Sequence, residues 1–194
     1  MQCISNSNGG CLYANEVAGV NISYSMFKQC SGNNGGGLYI SSTNTNIFKT
    51  SFVQCQSKVG FAFDILNAPT GCHIDYLAVV NCECQGNSGV LVQASQFLEL
   101  KHANTNNIHA SNWCPSVDIF NMNAEIKYLH QFNCISDDTV TRVICSFSIF
   151  TAGLINNDKQ KLVSHVLCHE CDASKWADAV NPYSITFENM VFLR

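Results

Sequence analysis

The chain repeats itself about every 26 residues, and that register constrains its fold more than any other feature. QCISNSNGGCLY at residues 2–13 is rewritten as QCSGNNGGGLY at residues 29–39: Gln-Cys, a polar Asn/Ser/Gly turn, a Gly pair, then Leu-Tyr. Each copy runs on through alternating apolar residues to another Gln-Cys or Asn-Cys. A repeat of this length marks a solenoid, whose units bury their apolar faces only against their neighbours.

Five positions define the frame. They are Val20, Ile22, Tyr24, Phe27 and Cys30 in one copy, then Thr45, Ile47, Lys49, Phe52 and Cys55, then Cys72, Ile74, Tyr76, Val79 and Cys82. Leu98, Leu100, His102, Thr105 and Ile108 keep the register, and Ala124, Ile126, Tyr128, Gln131 and Cys134 restore it. YLAVVNC at 76–82 and YLHQFNC at 128–134 match two periods apart. Beyond Cys134 the frame is expected to stretch around an insertion at 156–161 (NNDKQK). It should resume at Cys168 and end on Tyr183, Ile185, Phe187, Met190 and Leu193. Cys3 joins the same column as Cys30, so Gln2-Cys3 reads as the end of a turn that begins outside the chain. An open β-edge there would favour end-to-end self-association.

Apolar residues such as Val20, Ile22 and Tyr24 alternate at period two, which is strand periodicity. Runs of this kind, punctuated by Gly and Asn, suit the sides of a β-coil. Stacked turns about 4.8 Å apart form parallel strands. The expected fold is therefore all-β: a single-stranded parallel β-helix of about seven coils, one domain over residues 1–194. Ile22, Ile47, Ile74, Leu100, Ile126 and Ile185 are expected to form its central ladder. A β-sandwich also uses short strands but does not explain the register.

Charged residues are only 12 % of the chain, the net charge is −4, and no basic run occurs. The charge pattern therefore gives poor support to nucleic-acid binding and to polybasic membrane docking. The longest apolar stretch, 143–155, is too short to span a bilayer and reads as one or two buried strands. No secretory signal is read after Met1. Asn21-Ile22-Ser23 is a candidate glycosylation acceptor.

Of the 12 cysteines, Cys3, Cys30, Cys55, Cys82, Cys134 and Cys168 fall in one column of the frame. Ile108 and Leu193 take the same place elsewhere, so the column reads as a buried ladder in which Cys packs as a small hydrophobe. Stacked side chains point in parallel rather than at each other. Some bridges stay open, for instance between Cys82 or Cys84 and a neighbouring turn. His165, Cys168 and Cys171 form the best metal candidate. Zinc wants four N/S ligands and no second knuckle is present, so no metal or other cofactor is assigned.

The GGGLY and GGCLY strings, followed by Phe27-x-x-Cys30 and Phe52-x-x-Cys55, resemble the repeats of polymorphic membrane proteins. Those repeats pair Gly-Gly-Ala-Ile with Phe-x-x-Asn, and Cys replaces the Asn here. More broadly the chain resembles pectin-lyase-like proteins, including protist surface proteins. The resemblance implies a right-handed β-helix and a place at the cell surface or outside the cell. Enzymes of that superfamily use clustered carboxylates or an Arg/Lys base. Asp64, Asp75, Asp118, Asp137 and Asp138 are the candidate acids, and they read as solvated turn residues. Only Arg142 and Arg194 could serve as arginines. His73, His102, His109 and His130 lie on different turns without a nucleophile at fixed spacing. His102 stands in the place of Tyr24 and Tyr76, so a packing role is expected. The functional expectation is a non-catalytic structural or adhesive module whose sheet faces and 156–161 insertion carry partner contacts, with exposed Tyr and Asn-rich turns able to bind protein or glycan. A carbohydrate-active β-helix is the alternative, and it requires Asp64, Asp75 and Asp118 to converge.

Overall fold

Apolar side chains at fixed places in the register can be buried together only if successive turns lie directly over one another, and the chain does this. A computed structural model describes residues 3–42, 44–66, 70–85, 90–92, 97–110, 117–120, 123–136, 139–144, 161–169, 175–180 and 185–193. Side-chain surroundings are described for 3–42, 44–66, 70–85, 98–109 and 127–134. Among these residues there are strands and turns but no helix, and so none able to cross a membrane. The strands form two parallel sheets, one of 12 strands and one of 7, and together they make a β-solenoid. The larger sheet carries the long strands Asn44–Val53, Gly71–Val80, Phe97–Ala110 and Asn123–Ser136. The smaller stacks Leu12–Val17, Leu38–Ser42, Phe63–Leu66, Val90–Val92, Val117–Phe120, Thr139–Ile144 and Lys175–Val180.

Strand pairing carries the five-position frame from residue 20 to residue 134. Ile22 pairs with Ile47, Ile47 with Ile74, Ile74 with Leu100, and Leu100 with Ile126. Phe27, Phe52, Val79, Thr105 and Gln131 form a second column. The core lies between the two sheets, where Leu38, Ile40, Phe63 and Ile65 face Ile47, Phe52, Ile74 and Leu100. Phe52 stacks on Phe27 at 5.1 Å between ring centroids and tilts against Phe63 at 5.4 Å.

The corners turn in the left-handed region. One column of corners is Tyr24, Lys49, Tyr76, His102 and Tyr128, and a second is Gln29, Gln54, Asn81, Asn107 and Asn133; all have φ between 47° and 56°. A third is built from Gly9, Gly35 and Gly60. Left-handed φ costs a non-glycine residue roughly 1 kcal/mol or more. Stacking offsets part of that cost, because identical corners bond to each other. Asn107 Nδ2 donates to Asn81 Oδ1 at 2.7 Å, and Asn133 Nδ2 donates to Asn107 Oδ1 at 2.8 Å.

Three expectations are corrected. Cys30 is not a free member of the ladder, because it is bridged to Cys11. Both lie in the turn between the Gly9 and Gly35 corners, so the bridge joins two walls of one turn rather than neighbouring turns. Cys82 is a free thiol, and Cys84 Sγ donates to Lys58 O at 3.3 Å. Second, Cys168 leaves the cysteine column: it pairs with Gln131, three positions before Cys134. Third, Ile126 pairs with Val163 and Val163 with Phe187, while Ile185 pairs with Lys161 and falls outside the Ile column. The turn from Gln131 to Cys168 is longer than a turn of the frame, and counting from Cys134 loses the register there. All of the 156–161 insertion but Lys161, and most of the stretch 143–155, lie outside the described residues.

The Cys11–Cys30 bridge closes a chain separation of 19 residues. Chain-entropy arguments assign about 3 kcal/mol to a loop of this size. Replacing both cysteines by Ala should therefore lower Tm by on the order of 6–12 °C in a calorimetric scan. An unchanged Tm would show that the bridge adds nothing to stability.

Candidate functional site

The corner at Tyr24 explains why the site faces outward. At period two, Val20, Ile22 and Tyr24 would share one side of a continuous strand. The left-handed turn at Tyr24 breaks that alternation, and the inward series resumes at Phe27. Tyr24, Tyr76 and Tyr128 are accordingly 74 %, 49 % and 42 % exposed. His102 fulfils a packing role, but on the surface. Its ring stacks on Tyr76 at 4.6 Å and 9° and on Tyr128 at 4.9 Å and 5°. These separations match the rung spacing of about 4.8 Å, so the rings pile along the solenoid axis. The ring faces of Tyr76, His102 and Tyr128 cover one another along this run.

Beside this column the same strand faces carry charges. Phe48, Asp75 and Lys101 pair in one row, and Asn46, His73 and Glu99 in another. His102 Nδ1 lies 2.8 Å from Asp75 Oδ1, an oxygen that also accepts from the Tyr76 backbone N–H at 3.0 Å. Glu99 is hydrogen-bonded to Lys101 and lies 3.3 Å from His73 Nδ1. The bond from Lys101, followed by the contact with His73, holds the Glu99 carboxyl below its ordinary range.

The break in the column is Lys49. Its Nζ lies 5.3 Å from the Tyr24 ring centroid, 5.1 Å from Phe48 and 5.7 Å from Tyr76. Phe48 stands edge-on to Tyr24 at 81° and to Tyr76 at 88°. Sequence reading placed Lys49 in the frame without giving it a role. The available signal was a cation in a position otherwise held by aromatic or imidazole rings.

Among the described side chains, Asp64 and Asp75 do not form a hydrolytic pair. Asp75 is on the larger sheet and bound to His102. Asp64 and Asp118 are on the smaller sheet, two rungs apart with Leu91 between them by register. Asp64 is no solvated turn acid: it sits on the strand Phe63–Leu66 and is 3 % exposed. Its Oδ1 has no hydrogen-bond partner among the described residues, and burial pushes its pKa up to about 7. Asp137 and Asp138 lie outside the described residues.

Within the cysteine column, Cys30, Cys55, Cys82 and Cys134 are buried, and Cys3 is half-buried in register with Cys30. The Cys82 thiol is raised by its hydrogen bond with Cys55 and by burial, and burial alone lifts Cys72 to about 12. Cys72 and Cys82 pack as small apolar groups, while the hydrogen bond with Cys82 lowers the Cys55 thiol. His165 and Cys168 lie on the strand Lys161–His169, and Cys171 is outside the described residues. Among the described residues no three His, Cys, Asp or Glu side chains stand together as metal ligands. Asn21 is exposed on an edge strand, where its Oδ1 accepts from Asn46 Nδ2 at 2.8 Å. Among the described residues that bond leaves the amide nitrogen, the atom a glycan would occupy, unengaged.

Comparison with known proteins adds no family: no family model, curated protein or solved structure matches the chain.

Proposed function

We propose that the protein is a non-catalytic adhesive or structural module that binds a protein or glycan along the Tyr24–Tyr128 corner column. The exposed, regularly spaced row of Tyr and His edges carries this reading. Tyr gives a large rigid contact with a hydroxyl at its tip, a combination favoured at recognition surfaces. Rungs at fixed spacing offer an extended partner many equivalent hydrogen-bonding positions with little chain ordering. Asp75 and Glu99 are held by His102 and Lys101, so they orient the surface rather than act as an acid/base pair. The repeat resemblance to polymorphic membrane proteins supports placing this module at a cell surface, with Asn21 available for glycosylation.

Beads coated with the protein should be retained by at least one member of a panel of immobilised polysaccharides and extracellular-matrix proteins. Replacing Tyr76 and Tyr128 together by Ala should weaken that retention at least about tenfold, since truncated aromatic anchors commonly cost 2 kcal/mol or more. Met26→Ala, on the adjoining face, should leave it unchanged. Retention unaffected by the double substitution would remove the column from the binding surface. Release of reducing or unsaturated sugar ends from the polysaccharides would instead favour the carbohydrate-active alternative.

A further inference from the structure

The three rings around Lys49 have the geometry of a receptor for an organic cation. Tyr24 and Tyr76 belong to one corner column two rungs apart, so their separation is about 9.6 Å. Phe48 closes the space from the side, close to perpendicular to both rings. An ammonium midway between two such rings lies within about 6 Å of every centroid, the range in which ring quadrupoles attract a cation. The Lys49 ammonium sits there, at 5.1–5.7 Å from all three. Among the described residues no carboxylate pairs with it. The nearest acid in the register, Asp75, is committed to His102 and the Tyr76 N–H. Aromatic faces alone therefore hold this cation.

We propose that Tyr24, Phe48 and Tyr76 form an aromatic cage for quaternary ammonium groups, of which Lys49 is the resident, displaceable occupant. A primary ammonium is strongly hydrated and gives up much of that hydration to enter the cage. A trimethylammonium group spreads its charge over methyls and fills the space between the rings better, which is why such groups are read by aromatic cages generally. Lys49 is exposed and reaches the cage on a flexible four-carbon stem, so it can swing into solvent. Because it is tethered, it competes at an effective concentration in the millimolar range or above. The native cage therefore binds weakly, and its affinity rises when the plug is removed. This inference is independent of the adhesive reading: cage occupancy and bead retention are measured separately, and either can fail alone.

Tetramethylammonium chloride titrated into the intact protein and into Lys49→Ala, followed by Tyr fluorescence and by NMR of the aromatic protons, tests it. Lys49→Ala should bind saturably in the millimolar range, at least about tenfold more tightly than the native chain. Tyr24→Ala or Tyr76→Ala added to Lys49→Ala should abolish the binding. Neopentyl alcohol, neutral and of similar shape, should bind neither form. Circular dichroism of each variant separates loss of the cage from loss of the fold. The proposal is overturned if Lys49→Ala shows no saturable binding, if the neutral analogue binds as well, or if removing Tyr24 and Tyr76 from a folded chain leaves the affinity unchanged.

Discussion

Replacing Gly36 by Ala should destabilise the solenoid by about 3 kcal/mol or more, enough to lower Tm by on the order of 6–12 °C or to prevent folding. A Cβ on Gly36 would lie 2.3 Å from the Phe61 carbonyl oxygen and 2.6 Å from that of Gln56, both backbone atoms of the next turn. No rotamer change relieves a clash with backbone. Moving the turns apart would break the ladder that sets their spacing, in which Gly36 N–H donates to Gly60 O at 2.9 Å and Gly35 N–H to Val59 O at 2.8 Å. The same constraint recurs one turn earlier, where a Cβ on Gly10 would lie 2.1 Å from Gly36 O. Gly19→Ala is the control, because its added carbon meets only Asn44 O at 3.7 Å, an ordinary contact. Urea melts of the two variants should differ by several kcal/mol, with Gly19→Ala near the native chain. Equal stabilities would show that turn spacing is softer than the backbone contacts imply.

These glycines show what the sequence makes legible. Gly9-Gly10 and Gly35-Gly36 stand out because a turn-to-turn contact that admits no side chain recurs with the register. The inward columns through Ile22, Phe27 and Cys30 are readable for a related reason: a buried position can be filled only from a short menu, and it recurs each turn. The corners escaped because left-handed φ at Tyr24, Lys49, Tyr76, His102 and Tyr128 is not what those residue types announce. Periodicity alone placed Tyr24 with Val20 and Ile22. The frame aligns these residues and exposed Tyr are expected, but the corner that turns this column outward appears only in three dimensions. Cys11 was likewise hidden, although it is the one residue by which GGCLY departs from GGGLY. Its partner lies across one turn, whereas a column frame relates only positions in successive turns. Past Cys134 a longer turn removed the fixed interval on which the frame depends.

Asp64 escaped too, because a polar residue in a short strand ordinarily faces solvent, and it leads to the second large effect. Stability should fall as pH rises from about 4 to about 7, and Asp64→Asn should remove much of that fall. Burial raises the folded-state pKa of Asp64 to about 7 from 3.8. Below the lower value both states carry the proton, and the neutral carboxyl is accommodated in full. Between the two values the unfolded chain ionises while the folded chain retains its proton, so unfolding becomes easier by up to about 1.4 kcal/mol per pH unit. Above pH 7 both states are ionised and the slope from this group ends. The integrated penalty is on the order of 2–4 kcal/mol. Tyr39, its partner one rung away, is raised first by its own burial and then by the Asp64 charge, so it titrates far above this window. Glu99 acts with the opposite sign and at lower pH: its lowered pKa contributes stability that is lost as pH falls through the folded value. Asn preserves the shape and cannot ionise, so Asp64→Asn should match the native chain within about 1 kcal/mol at pH 4. At pH 8 it should exceed the native chain by on the order of 2–4 kcal/mol. Chemical denaturation at half-unit pH steps reads both numbers. Parallel native and Asp64→Asn curves from pH 4 to 8 would mean that the carboxylate finds water or a cation when it ionises, and that its burial costs the fold little.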